Sequence, residues 1–571
     1  MSIFRRASGN HVFFNRRLLQ LTFALLVWLF FLVRATQVFT FSSTHVGIYT
    51  SDSAIPILMA NQDQRLNTFD TYFYGQDRFG AWPFLIPQMI HRATNYHWSS
   101  RAIFIMQTVW LFVGALLLAM MSRRVDVMVG LLYLLPLCLH ARVVEFVFAL
   151  SQTYAWQITA LIFSWYCLRR LVEWLFGMRQ SHQKLLKIAV WSLLTFWFAL
   201  LAIQSSPVSW PVLFFLATLE VLHSLYKSRR SGAVKSVHEE RVDHTNSRQW
   251  PSRLYVRVLQ VALPIAAAVV TELLLKAHYH SNSLKRFGTD FRTPVALDAG
   301  HLTENLVVQW NQFRESPWWL LAFLPLLAFA VLSARVIYLF KEDKKKLSES
   351  LRKLFLEDDA ILVIATFGIG VINFILTVLV SHTRIMQYAP TYLTLSHLFI
   401  SFSGLLALLL MARSMKRYGH VASYAIGLAA LTILLICFPK SETNPQYPPL
   451  MKSAVDLSQK APSRVLLGGF WETYVFAGLD PKGAIIPVPA EGQYVRIPWL
   501  IEAMRRSDLV IVEHGLEFER SRNIPCPDLG TAENPKPYLV QYGVPLRLII
   551  PRWYVNDGYV FSVYKNEARQ P

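Results

Sequence analysis

Apolar runs near 20 residues long recur along this chain, and each can cross a hydrocarbon core of about 30 Å as a helix rising 1.5 Å per residue. The first, from about Leu18 to Phe39, follows the opening MSIFRRASGNHVFFNRR. Others fall near 102–121, 125–141, 154–168, 187–204, 208–226, 255–275, 318–340, 360–381, 391–411 and 421–438, giving about eleven expected transmembrane helices. With 54% hydrophobic residues, only 16% charged ones and a mean hydropathy of +0.34, a water-soluble globule is excluded. The bilayer must solvate most of the chain.

Charge orients these runs. The net charge is +20, which by itself would suggest a nucleic-acid partner, but the cations cluster beside the apolar runs. Arg5, Arg6, Arg16 and Arg17 precede the first run; Arg123–Arg124, Arg169–Arg170, KSRR at 227–230, KEDKKK at 341–346 and RSMKR at 413–417 fall in alternate loops. All agree with a cytoplasmic N-terminus under the positive-inside rule, so no nucleic acid is expected as a partner. A cleaved signal peptide fits less well, because RATQVFTF lacks a small-x-small site. The segment 141–153 is apolar but too short to span, and is expected at the outer surface. Four cysteines make no disulfide framework and leave the redox compartment open.

The expected fold is a mainly α, polytopic membrane domain over 1–438, with outer loops 40–101 and 276–317, followed by a small extracytoplasmic α/β domain over 439–571. In the tail, PKSETNPQYPP reads as a linker. The runs RVLLGGF, AIIPVP, DLVIVEHG, YLVQYG, LRLII and YVFSVY read as strands, with helices at WETYVFAGL and PWLIEAMRRS. The basic loop 227–257 has no apolar face and reads as a solvated topology determinant. No internal repeat or low-complexity tract is present.

Chemistry is expected in the outer loops. Asp52, in YTSDSAIPILMANQDQRL, lies about a dozen residues past the first run, close to the headgroup level. Either Ser51 or Asp52 could instead cap a short helix over 53–61, which does not exclude catalysis. In DTYFYGQDRFGAWPFLIPQMIHR, Tyr72, Phe73, Tyr74, Phe79 and Trp82 suit the interface, and Gly75 and Gly80 allow tight turns or close approach. Asp77 supplies a second carboxylate and Arg78 a permanently charged fork for phosphate; the pair could equally be a surface ion pair. His382 and Arg384, in LVSHTRIMQYAPTYLTL, form a positive pair on the cation-poor side, suited to a lipid-linked phosphate or to snorkelling. The loop 276–317 adds His278, His280, Lys285 and Arg286, and two histidines alone are weak grounds for a metal. Glu145 and Glu272 are the acids closest to the bilayer, each near an outer span end. No ladder of acids, no paired broken helices and no phosphate-binding loop occurs, which disfavours ion coupling or bound ATP.

Taken in order and sidedness, YTSDSA, YFYGQDRFG and RIMQYAP resemble the GT-C superfamily of integral-membrane glycosyltransferases, which includes protein O-mannosyltransferases and lipid A aminoarabinose transferases. The likeness covers nearly the whole layout. By resemblance, Asp52 corresponds to the first-loop catalytic acid, YFYGQDRFG to the Tyr-Gly-rich segment after it, and Arg384 with Tyr388 and Pro390 to a late outer stretch. The first-loop site reads Ser-Asp-Ser, without the Asp-Glu pair of protein mannosyltransferases, so their acceptor does not carry over.

The resemblance implies a polyprenyl-phosphate-linked hexose or pentose as donor, used on the non-cytoplasmic face with inversion. Asp52 would be the general base toward an acceptor hydroxyl, ionised at neutral pH. Arg384, Arg78, His382 and Lys285 would meet the leaving phosphate, and Asp77 would orient the acceptor or hold a divalent cation. No cofactor beyond that divalent cation is implied. The acceptor would be a glycan, lipid or protein, in a bacterial cytoplasmic membrane with the site facing outward. A lipid or polysaccharide transporter and a non-catalytic membrane assembly protein are the rival classes. As an enzyme, the chain would be expected to keep residual activity after loss of 445–571, whereas a scaffold would lose its partner.

Overall fold

The computed structural model describes residues 25–39, 51–61, 72–73, 76–80, 82–122, 126–150, 153–176, 183–233, 249–282, 299–328, 358–379, 390–414, 419–440, 447–480, 482–490, 498–514, 529–531, 533–556 and 559–569, with single positions 22 and 330. A helix, α1 (Leu25–Phe39), leads to a first-loop unit. That unit contains α2 (Ser51–Ala60), the hairpin β1 (Tyr72–Phe73) and β2 (Gln76–Gly80), and α3 (Leu85–Thr94). Then come α4 (Ser100–Met121), α5 (Val127–Leu139), α6 (Ala141–Val147), α7 (Tyr154–Phe176), α8 (Lys184–Ser205), α9 (Ser209–Ala233), α10 (Gln249–Asn282) and α11 (Ala299–Arg314). The bundle continues through α12 (Pro317–Ala328), α13 (Asp358–Leu379), a 3₁₀ turn over Pro390–Leu393, α14 (Thr394–Ser414) and α15 (Gly419–Cys437).

The chain is an integral membrane protein. Among the described residues, five helical segments are long and apolar enough to cross alone: Ser100–Met121, Lys184–Ser205, Leu254–His278, Ala360–Leu379 and Thr391–Arg413. A sixth crossing is available if α5 and α6, bent by 84° at His140, count as one. Leu25–Phe39, Ser209–Leu225, Pro317–Ala328 and Val421–Cys437 are apolar but shorter, and α7 carries Arg169, Arg170 and Glu173 in its second half. Each of the eleven expected runs therefore overlaps a helix among the described residues, and five or six of these segments are long and apolar enough to span. The bend puts 141–147 into a short separate helix, as its apolar but brief sequence suggests.

The acids singled out near the span ends have simple partners. Glu145 pairs with Arg142 at 3.3 Å, and Arg142 also reaches Glu315 at 2.9 Å, tying α6 to the end of α11. Glu272 is paired within its own helix with Lys276 at 3.5 Å. At the far end of the bundle, Arg413 of α14 pairs with Asp126, whose carboxylate also caps α5 through the Met128 N–H.

The C-terminal domain adds α16 (Tyr447–Lys460), β3 (Val465–Gly468), α17 (Phe470–Leu479), β4 (Ile486–Pro489), α18 (Pro498–Arg506), β5 (Leu509–His514), β6 (Tyr538–Gln541), β7 (Val544–Asn556) and β8 (Tyr559–Asn566). All six expected strands and both expected helices are present. The sheet order is β4-β3-β5-β8-β7-β6, with β3 parallel to β4 and β5 and the remaining pairs antiparallel. Its parallel centre explains the unbroken apolar runs VLLG and LVIV, since strands covered on both faces have no solvent side to alternate with. α16 departs from the linker expected there: Pro448 and Pro449 sit in its first turn, where no intrahelical donor is needed. One contiguous cluster of buried residues runs from Phe31 and Phe438 in the bundle to Tyr474 and Tyr564 in the domain, so the two share a core.

Candidate active site

α2 is a strongly apolar helix, SDSAIPILMA, and Ala54, Ile55, Ile57, Met59 and Ala60 are each at most 1% exposed. It begins at Ser51, two residues earlier than expected, so Asp52 lies inside its first turn instead of capping it. Pro56 has no N–H to give the Asp52 carbonyl, which loses its i→i+4 partner there. The Asp52 side chain itself lies outside the described residues.

The other end of α2 is clasped. Asn61 donates to the Trp98 carbonyl at 2.8 Å and accepts from the Trp98 N–H at 2.7 Å. Gln88 of α3 donates to the Met59 carbonyl at 2.8 Å, and the Trp98 indole donates to the Pro87 carbonyl at 2.9 Å. His97 Nε2 donates to the carbonyl of Asp480, the residue that ends α17, at 3.1 Å. Beside it Gly483 adopts φ +61°, and a Cβ there would meet the His97 ring at 2.5 Å. Gly483→Val combines left-handed strain with that collision and is expected to destabilise the joint by about 1–3 kcal/mol. Thermal unfolding and protease sensitivity of the purified chain measure it, and an unchanged profile would contradict the clasp.

Along its length α17 packs against α2. The C-terminal ends of both ten-residue helices meet at His97. Burial holds the His97 imidazole below its ordinary value of 6.5, opposed by the Asp480 carbonyl bond and Asp480 charge and reinforced by His91. A folded value below the unfolded one means the joint is fully formed above about pH 6.5 and weakens as acid protonates His97. Protease cleavage between bundle and domain is therefore expected to rise from pH 7.5 to 5.5, and His97→Gln should flatten that dependence.

The strand carrying Asp77 and Arg78 is placed by its ends. Its hairpin partner β1 contacts α2, and Gly80 touches Gln204 at the end of α8 so closely that a Cβ would sit 2.7 Å from the Gln204 Cβ. Trp82 then donates to Ser205 Oγ at 3.1 Å, and Thr153 donates to the Ser205 carbonyl at 3.1 Å. Next along α7, Tyr154 faces Tyr392, with the Thr391 side chain against its hydroxyl. These two residues belong to the 3₁₀ turn that follows the segment bearing Arg384. A continuous set of contacts thus links the Asp77 strand, the ends of α8 and α7, and the start of α14.

Asp77 and Arg78 are described in backbone only, while His382, Arg384 and Lys285 lie outside the described residues. Sequence reasoning missed Thr153, Tyr154, Ser205 and Tyr392; the polar cluster SSPVS at a span end was the one available hint. It also missed Glu220, which is buried within α9 and accepts from the Trp165 indole at 2.8 Å. Among the described residues, no three His, Cys, Asp or Glu side chains gather to hold a metal ion.

Bundle and joint together define a membrane protein in which an α/β domain covers α2, the helix that follows the first apolar helix. No family model and no curated protein matches the chain. Among solved structures it is similar to the archaeal oligosaccharyltransferase AglB from Archaeoglobus fulgidus, in complex with an inhibitory peptide and a dolichol-phosphate. That match has 10% identity and a TM-score of 0.41, and covers 86% of this chain and 69% of that one. It is also similar to ArnT from Cupriavidus metallidurans in the apo state, at 10% identity and a TM-score of 0.33, covering 98% of each chain. Both are membrane glycosyltransferases of the GT-C superfamily.

Proposed function

We propose that the chain is a GT-C-type glycosyltransferase that moves a hexose or pentose from a polyprenyl-phosphate donor to a hydroxyl acceptor at the domain-bearing, non-cytoplasmic face. Asp52 is the general base. It takes the proton from the acceptor hydroxyl while that oxygen bonds to the anomeric carbon; the bond from that carbon to the phosphate oxygen breaks, with inversion. The lipid phosphate leaves as an anion and needs no acid. Its growing charge is met by Arg384 and Arg78, with His382 and Lys285 as further cations, and Asp77 orients the acceptor or holds a divalent cation. A bacterial cytoplasmic membrane is the expected setting.

The observation that carries this reading is the α2 joint: a helix with an acid in its first turn, buried along its length, clasped at one end and covered by a second domain. Such support suits a side chain that must be held in position, because a reacting group displaced by about 1 Å can lose about 10²-fold in rate. A transporter has no need of a fixed acid in this loop.

The test is product formation. Protein in liposomes is given labelled polyprenyl-phosphate sugar and candidate glycan, lipid or peptide acceptors. A new glycosidic bond supports the proposal. Movement of donor across the bilayer with no new bond would assign a transporter, and neither outcome, across a broad donor set, would leave the assembly role.

A further inference from the structure

The C-terminal domain contains a cavity of about 240 Å³ beneath the end of α16, at the edge where β3 and β4 begin. It is below the roughly 300–1,000 Å³ typical of drug-sized ligands, so it suits one small ring or headgroup. Leu466, Ile485 and Ile511 supply an apolar floor, Ser463 a hydroxyl, and Arg464 and Lys482 two cations; no acid lines it.

The backbone that carries those cations is fixed, and both side chains are exposed at the rim. Arg464 immediately precedes β3, and its carbonyl accepts from the Ile486 N–H at 2.8 Å at the start of β4. Lys482 sits in a short loop that the Asp480 carboxylate fixes by accepting from the N–H groups of Lys482, Ala484 and Ile485. Nearby acids are already engaged. Asp480 carries those three bonds, Asp456 accepts from Lys460 and Tyr554, and Asp508 pairs with Arg569. Among the described residues, neither Arg464 nor Lys482 forms an ion pair. Two unpaired cations over an apolar floor match a sugar ring bearing a phosphate or carboxylate: the ring's C–H face meets the floor and the anion meets the cations.

We propose that this cavity binds an acidic saccharide through its anionic group. Lys482 adjoins Gly483, which touches His97 and hence the end of α2, so a saccharide held here lies at the joint between domain and first loop. Its role as an acceptor subsite rests on the proposed glycosyl transfer; binding itself does not.

The experiment uses the full chain in phosphatidylcholine nanodiscs, titrated with glucose 6-phosphate, inorganic phosphate and glucose. Saturable binding of glucose 6-phosphate is expected, tighter than that of inorganic phosphate, with none for glucose. R464A/K482A should weaken it about tenfold or more and reduce its salt dependence. Asp52→Asn should bind as the unaltered chain does, so failure of the cavity and failure of the transferase reading are distinguishable. Equal binding by the charge-removed variant would overturn the proposal. So would loss of stability in that variant with no saturable binding in either protein, which would make the two side chains structural alone. If phosphatidylglycerol in the nanodisc displaces glucose 6-phosphate, and R464A/K482A abolishes the competition, the cavity is a lipid-headgroup site and the saccharide assignment fails.

Discussion

Asp52→Asn is expected to lower glycosyl transfer by about 10²–10⁴-fold, the usual worth of a positioned general base. The amide fills nearly the same space but cannot take a proton from the acceptor hydroxyl. Ala54, Ile55, Ile57, Met59 and Ala60 would remain buried, so insertion, thermal stability and the joint with the domain should not change. Donor consumption and product formation in the same preparation measure the effect. Turnover equal to that of the unaltered protein would remove Asp52 from the mechanism; equal loss of stability and activity would make it structural.

A comparably large effect is expected from deleting 445–571. Sequence alone leaves an enzyme some activity after this deletion, because the tail reads as a separate appendage. The structure changes that expectation: α17 covers α2, and removing it exposes apolar side chains that each gain about 1.5–3 kcal/mol from burial when of Leu or Ile size. The truncated chain should still insert, since none of its apolar spans is removed, but transfer should fall to background. Adding the isolated domain back and recovering activity would locate the defect in α2. Full activity in the truncated chain would show that the roof over α2 has no part in the reaction.

The apolar helices were legible because the bilayer demands long apolar windows, and the domain's strands because short β-branched runs alternate with turn residues. Arg123–Arg124 and Arg413 marked one end of the bundle; Asp126 and Arg413 do meet there. Helix α11 was not legible within the loop 276–317, since AGHLTENLVVQWNQFR mixes polar and apolar residues and gains its helicity by packing. The linker reading of PKSETNPQYPP failed only at its end, Tyr447–Pro449, because prolines that stop a helix interior are tolerated at its start.

At the site, individual residue types carried a chemical suggestion, but their meetings carried no sequence signal. Nothing local to Ser205 indicates that it accepts from Trp82 while its carbonyl serves Thr153. The same holds for α2 and α17. Each reads as a short apolar helix, and only the fold reveals that one covers the other.

Such a pairing imposes an order on manufacture. Domains generally fold as units, N-terminal first, as the ribosome delivers them at about 5–20 residues per second. Here the loop made near the start cannot be covered until residues 470–479 have left the ribosome. Chains arrested before that point would be inserted yet inert, with a greasy helix bare to chaperones and proteases. Competence for the proposed transfer would thus arrive late and all at once, with the covering of α2 as its last step.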